Sequence, residues 1–466
     1  MNEIHALDAI SLADQYRRKT LSPVEVTQAV IECIDAWEPH IHATWALDPE
    51  VAIAMAHASQ ARWLRDAPLG PLDGVPVTIK ENFATRGLPV PLGSAATPLI
   101  PATEDSPPVA RLGEAGAVFL CKTTMPDFGM LAAAHSSFHP LTRNPWNLDR
   151  NPGGSSSGAG AAAAAGYGPL HLGSDIGGSV RIPASFCGVF GFKPSLGRIP
   201  IDPPYTGRVA GPITRTVTDA ALMMSVLSRP DARDHMSLPY QDIPWLSLSG
   251  SLSGMRIGLW LDPGNDVDVD PEVYAAIESA AARFEAEGAH VEWVSPWIKR
   301  GTLESVSRFW GARMRSELEA LPEERRALAS EVVRKLADSA AGISGAAVYN
   351  AHAQMLAVRA ATVSATRDYD LILSPTCAKP AFGAHETHIH QEGLSPIEQS
   401  IFTMVFNLSE QPAASINCGY TANGLPIGLQ IAGRRFDDLG VLRAARTWET
   451  LRPEQRTWPR PPLPQA

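Results

Sequence analysis

The chain has 466 residues, 45% hydrophobic and 19% charged, with a formal net charge of -10, a pI near 5.7 and a mean hydropathy of -0.06. That is soluble globular composition with apolar material for a large core, and its acidic balance excludes a surface built for nucleic acid or an anionic membrane. No run of about 18 apolar residues occurs, so no helical membrane span is expected; five scattered cysteines, none in a CxxC, exclude a disulfide framework or structural zinc site and point to a reducing cytoplasm.

The first residues, MNEIHALDAISLADQYRRK, lack a basic region followed by an apolar one, so no targeting segment is expected. Ser22-Pro23-Val24-Glu25 reads as a helix start, with Ser22 as cap, Pro23 in the first turn and Glu25 three residues after the cap. Val26, Ala29, Val30, Cys33, Ile34 and Trp37 then recur at helical spacing and predict one buried face. An Ala-rich helix follows over 49–65. Leu72 to Lys80 turns at Asp73-Gly74 and enters a short apolar strand that ends at the lysine. Val109 to Ala115 predicts a helix stopped by Gly116, and Ala117 to Cys121 a buried strand, an order that indicates α/β architecture.

Further along, 255–260, 271–287 and 290–294 repeat the strand, helix, strand theme. From 302 to 369 the chain is charged and helical, which marks it as a peripheral subregion or lid. Leu371 to Leu373 and Ile427 to Ile431 read as strands returning to the sheet, and the Pro-rich tail after Pro453 as irregular. No composition shift marks a boundary and no internal repeat occurs, so 1–466 reads as one domain, with a motif-bearing core at about 70–230 and 400–450.

Chemistry concentrates in the middle of the chain. Gly154-Ser155-Ser156-Ser157-Gly158 formally matches the G-x-S-x-G nucleophile elbow, with Ser156 as its serine, but that motif needs a strand before it. The preceding NPWNLDRNPG has two prolines, three asparagines and no apolar run. The late His385, His388 and His390 fit a solvated loop better than a catalytic triad, and HETHIHQ lacks the HExxH spacing of a metal site. In Gly173-Ser174-Asp175-Ile176-Gly177-Gly178-Ser179, two glycines precede a serine, which lets successive N–H groups converge where acyl transfer develops negative charge. Ser155 lies 24 residues earlier, and Lys80, one of only seven lysines, ends a buried-looking strand.

DGVPVTIKEN, TRNPWN, PGGSSSGAGAAAAAG and GSDIGGSVRIPASFCGVFGFKPSLGR occur in this order. They continue through GPITRTVTDAA to NGLPIGLQIAGRRFDD. Together they resemble the amidase signature family, which includes fatty acid amide hydrolases, bacterial amidases and the A-type subunit of tRNA-dependent amidotransferases. The resemblance covers most of the chain except roughly 235–400. It implies a large central mixed β-sheet covered by helices on both faces. It also implies a Ser-cisSer-Lys triad, with Ser179 as nucleophile, Ser155 as the bridging serine on a cis peptide and Lys80 as base. The backbone N–H groups of Ile176, Gly177, Gly178 and Ser179 would form the oxyanion hole. Ser174, Asp175, Arg181 and Ser156 would support the site from behind. No metal and no cofactor are implied.

A hydroxyl attacks only when a base takes its proton, so Lys80 must be neutral to act, and burial among Val75, Val77 and Ile79 favours that form. The stretch 151–166 therefore reads not as a linker but as the carrier of the bridging serine and of an Ala-rich helix packed close to the sheet. Three positions depart from the family pattern: Ser157 replaces a glycine, Ser174 a threonine, and Ser409-Glu410-Gln411-Pro412 a small-Gly-Leu-Pro segment, which is expected to alter the pocket wall. The expected activity is hydrolysis of carboxylic amide C–N bonds through an acyl-enzyme, extending to esters, anilides and carbamates (urethanes). Met125, Phe128, Met130 and Phe138 are expected to line a pocket for an apolar acyl or aryl group. The expected partner is a small molecule and the expected state a monomer or homodimer. The alternatives are a glutamine-hydrolysing amidotransferase subunit with a partner chain, and a binding protein with a decayed site.

Overall fold

The computed structural model describes residues 4–389, 391 and 396–462. One sheet runs through them. Its strands are β1 (Thr44–Trp45), β2 (Pro76–Lys80), β3 (Val118–Thr123), β4 (Leu170–Asp175), β5 (Phe190–Lys193), β6 (Val209–Thr214), β7 (Arg256–Leu259), β8 (His290–Trp293), β9 (Leu371–Pro375), β10 (Ala413–Tyr420) and β11 (Pro426–Gly433). They lie in the order β1-β3-β2-β4-β6-β5-β10-β11-β9-β7-β8. Neighbours are parallel in β3-β2-β4 and in β9-β7-β8 and antiparallel elsewhere. The expected mixed sheet is present. Every residue of β2, β4, β5, β6, β9 and β11 is buried. Successive strand residues point to opposite faces, so unbroken burial means that both faces are covered.

The helix predicted after Ser22 spans Pro23–Ile41, with Ser22 and Glu25 forming a capping box. Ser22 Oγ accepts the Glu25 N–H at 3.2 Å, and Glu25 Oε2 accepts the Ser22 N–H at 2.8 Å. Val26, Val30, Ile34 and Trp37 are buried on its inner face. The helices expected over 49–65 and 109–115 span Pro49–Leu64 and Pro107–Glu114. The strand ending at Lys80 begins only at Pro76, because Asp73 is held in a turn: its carboxylate accepts from Arg62 and from the Leu69 N–H. The strand predicted at 290–294 forms, but at the sheet edge and largely exposed.

The charged stretch folds into helices Arg300–Glu319, Glu323–Arg326, Glu331–Asp338 and Gly345–Thr366. The first buries a single stripe that includes Leu303, Val306, Met314 and Leu318. Glu410 was expected in the pocket wall and is not there: it pairs with Arg359 of the last of these helices and, at 2.6 Å, with Arg435. The departure at 409–412 therefore ties the helical stretch to the sheet. Residues 453–462 form neither helix nor strand. All five cysteines are free thiols, four of them buried. Among the described residues no helix is long and apolar enough to cross a membrane.

Candidate active site

Lys80 is the last residue of β2, and β2 pairs in parallel with β4 through Val77↔Leu170, Thr78↔His171 and Ile79↔Leu172. Continuing that register brings the end of β2 alongside Gly173 and Ser174, at the carboxyl ends of parallel strands, where open α/β sheets place their ligands. Lys80 Nζ lies 2.8 Å from Ser155 Oγ and 3.0 Å from Ser174 Oγ. Ser155 comes from a separate loop, through a cis Gly154–Ser155 peptide bond. Residues 139–156 contain no strand, and the helix Ser157–Ala165 follows. The elbow geometry is thus absent. Its serine, Ser156, is fully buried and donates its hydroxyl to the Ser174 carbonyl at 3.2 Å.

The Ala-rich helix packs tightly because its small residues permit it. A Cβ on Gly158 would stand 2.2 Å from the Ala43 carbonyl oxygen and 2.5 Å from the Thr124 nitrogen. Ser157 donates a long hydrogen bond of 3.5 Å to the Ala133 carbonyl.

Ser179 follows β4 at the end of the loop 176–179 and opens onto a cavity of about 600 Å³ that Ser155 and Ser174 also line. The loop is held from behind. Arg181 donates five hydrogen bonds: two to the Asp175 carboxylate, and one each to the Thr403 carbonyl, Gln430 Oε1 and Asn407 Oδ1. All five guanidinium N–H donors are therefore used. Asp175 also accepts the Gly178 N–H at 2.8 Å and the Val180 N–H at 3.1 Å. Burial opposes ionisation of Asp175, but the Arg181 charge and its hydrogen bonds prevail and hold the carboxyl well below the usual carboxylate range. Gly178 has φ +127°, and a Cβ there would sit 2.3 Å from Thr403 Oγ1, which donates to the Gly177 carbonyl at 2.6 Å.

This arrangement corrects one expectation. The Gly178 N–H is committed to Asp175, which leaves the N–H groups of Ile176, Gly177 and Ser179 as the loop's candidates for the oxyanion hole. The Asp175 and Arg181 side chains are fully buried and line neither the cavity nor its recess.

Lys80 is fully buried. Burial pushes its pKa well below the ordinary lysine value, and the Arg208 charge pushes further in that direction, against Asp175 and Glu81. The amine can then present a lone pair to the Ser155 hydroxyl while donating to Ser174 Oγ, which also accepts from Asn82 Nδ2 at 2.9 Å.

Of the four pocket residues expected from sequence, Met125 and Phe128 line the cavity and Met130 an adjoining recess beside Ile176 and Gly177. Phe138 lines neither. It packs edge-on against Trp45 and His139, with ring centroids 5.6 and 4.8 Å away. His385 is exposed, with its carbonyl bonded to His135, and His388 pairs with Thr387; neither lines the cavity, and His390 lies outside the described residues. Sequence reasoning missed Asn82, Asp202, Arg208, Arg313 and Glu317, all lining residues. Asn82 was within reach, since it lies two residues beyond Lys80 in the turn that follows the strand. The others carry no local signal.

The sequence profile of the Amidase family matches residues 25–442. An acylamidase of Rhodococcus erythropolis is 36% identical over 460 residues, covering 97% of this chain and 96% of that protein. The A-type subunit of the glutamyl-tRNA(Gln) amidotransferase of Chloroflexus aggregans is 32% identical, covering 97% of this chain and 99% of its own length. Among solved structures, a bacterial aryl acylamidase of the amidase signature family superposes with a TM-score of 0.90 at 31% identity, covering 96% of each chain.

Proposed function

This chain belongs to the amidase signature family and is an amide-hydrolysing enzyme, and from that premise we propose that it cleaves carboxylic amides through an acyl-enzyme on Ser179. The observation that carries this reading is the contact of Lys80 Nζ with Ser155 Oγ, 2.8 Å apart, at the cavity onto which Ser179 opens.

In the first step neutral Lys80 takes the Ser155 proton as Ser155 takes that of Ser179, and Ser179 Oγ bonds to the carbonyl carbon. The carbonyl oxygen becomes negative and accepts hydrogen bonds from the N–H groups of the loop 176–179 that Asp175 does not occupy. The C–N bond then breaks, the proton returns through Ser155 to the leaving nitrogen, and water repeats the sequence on the ester to free the acid and Ser179.

Val90, Leu92, Met125, Phe128 and Leu321 form an apolar wall suited to an acyl or aryl group. Anilides, esters and carbamates pass through the same tetrahedral oxyanion and are included in the proposal. The likeness to the glutamyl-tRNA(Gln) amidotransferase chain favours a second reading, glutamine hydrolysis delivering ammonia to a partner chain.

The test is a fluorophosphonate probe with intact-mass analysis and mapping of the labelled peptide. Label on Ser179, lost in Lys80→Ala, is expected. Label on Ser156, or none where a control serine hydrolase reacts, rejects the assignment. Glutaminase activity appearing only with a co-purified partner would favour the second reading.

A further inference from the structure

Besides its apolar wall the cavity has a charged wall, none of whose groups the steps above place against the substrate. It consists of Asp202, Arg208, Arg313 and Glu317. Its charges are not equally satisfied. Arg313 donates to Glu317 at 2.6 Å and lies 4.6 Å over the Tyr205 ring. Arg208 is half-buried, and its guanidinium donates a long bond of 3.3 Å to the Pro203 carbonyl. Among the described residues no carboxylate forms an ion pair with it; Asp202 and Glu317 act on it only at longer range. Burial and the nearby Arg313 charge lower its pKa to about 10, so it remains charged at neutral pH.

The backbone that carries Arg208 is fixed. The β4–β6 register pairs Asp175 with Val209, so the next residue on each strand, Ile176 and Arg208, emerges at the same end of the sheet. The Arg208 N–H bonds the Tyr205 carbonyl at 3.0 Å. The Gly207 carbonyl accepts from Asn407 Nδ2 at 3.0 Å, and Asn407 also bonds Asp175 and Arg181. The backbone that carries the guanidinium is therefore anchored to the same network that holds the Ser179 loop. A partly desolvated guanidinium without a contacting anion is poorly satisfied, and a carboxylate supplies charge-assisted and bidentate hydrogen bonds that water matches less well.

We propose that Arg208 is a specificity residue that binds a carboxylate on the substrate, so that the enzyme favours amides bearing an acid group away from the scissile bond, with the linking carbons against the apolar wall. This rests on the reading of Ser179 and its cavity as the reaction site.

The test compares glutaryl 4-nitroanilide with 5-methylhexanoyl 4-nitroanilide, whose isopropyl end has the shape of the carboxylate without its charge. The wild type should favour the acid in kcat/KM. Arg208→Gln should lower the acid-to-neutral ratio by about 10- to 100-fold, the range for losing a hydrogen bond to a charged group, mostly through KM, with part regained in Arg208→Lys. Using the ratio cancels any effect that Arg208 has on Lys80. A wild type that prefers the neutral anilide, or a ratio unchanged in Arg208→Gln while fluorophosphonate still labels Ser179, overturns the carboxylate site. Failure of the wild type to label at Ser179 overturns the underlying reading instead.

Discussion

Residues 151–201 and the helices of 300–366 both reach the cavity, and they are built on opposite plans. In the first stretch every residue except Ile176 is buried. Its side chains are small, apolar or held by hydrogen bonds, and the chain folds back tightly enough that a single Cβ at Gly158 would strike backbone. In the second, much of the surface is exposed, charged along Arg300–Glu319 and Glu331–Asp338 and largely uncharged along Gly345–Thr366, yet Trp310, Arg313 and Glu317 still line the cavity or its recess. Proton transfer and oxyanion stabilisation need fixed dipoles and a neutral lysine, which only a low-dielectric, over-determined site supplies. Shaping a pocket needs only that a few side chains reach it, so a half-exposed helix suffices.

Lys80→Ala tests the first half of that contrast most severely. Removing the base is expected to lower kcat by at least about a thousandfold, with the protein still folded by circular dichroism, because the substitution also removes a buried amine that was costly to bury. The pH profile sharpens the point. Lys80 acts as the neutral amine and its pKa is lowered by burial first and by Arg208 next, so kcat/KM should fall as pH drops through that lowered value. Arg208→Gln removes a like charge and raises the Lys80 pKa, which moves the acid limb to higher pH on either anilide. A limb that stays in place, or moves to lower pH, would show that Arg208 does not act on the amine.

Asp175→Asn probes the same region through stability. Asp175 and Arg181 are both fully buried, 2.9 Å apart. The amide keeps one acceptor but leaves the guanidinium charge uncompensated, and breaking such a pair costs about 3–5 kcal/mol. Urea unfolding should show that loss, and the fluorophosphonate labelling rate should fall with it, since Gly178 and Val180 are tied to the same carboxylate.

The two regions were also unequally legible in the sequence. Local chemistry announced the helix at Pro23, through a cap and its Glu25 partner, and the strand ending at Lys80, through an apolar run. The serine motifs announced their neighbours because glycine, alanine and serine at fixed positions leave few ways to fold. The cavity's far wall did not show. Arg208 and Arg313 look in sequence like any solvated arginines, and their convergence depends on the β4–β6 pairing and on how the helix Arg300–Glu319 lies, neither of which leaves a periodic trace. Phe128 and Phe138 are alike in sequence and ten residues apart, but one lines the cavity and the other packs beside Trp45; apolarity says that a side chain is covered, not by what. The Gly178 N–H failed for a related reason: the Asp175 turn that claims it is visible only once the carboxylate is placed.

Glu319→Gln is the mildest probe and closes the contrast from the other side. Glu319 pairs with Arg315 at 2.9 Å on the same helix that supplies Arg313, but the two side chains are 38% and 53% exposed, the arginine and the glutamate respectively. Water screens them, and an exposed i,i+4 pair contributes about 0.3–0.5 kcal/mol. The order here, with the cation N-terminal to the anion, is the weaker one, and Glu319 is the last residue of the helix, where the partial negative charge of the carbonyls opposes a carboxylate. Losing the pair and relieving that repulsion nearly cancel, so the unfolding free energy should change by less than about 0.5 kcal/mol in either direction. A loss above about 1 kcal/mol, close to what a buried interaction costs, would mean that this helix is held as tightly as residues 151–201. Arg313 and Glu317, two turns and less along it, would then belong to the rigid scaffold of the site rather than to its adaptable rim.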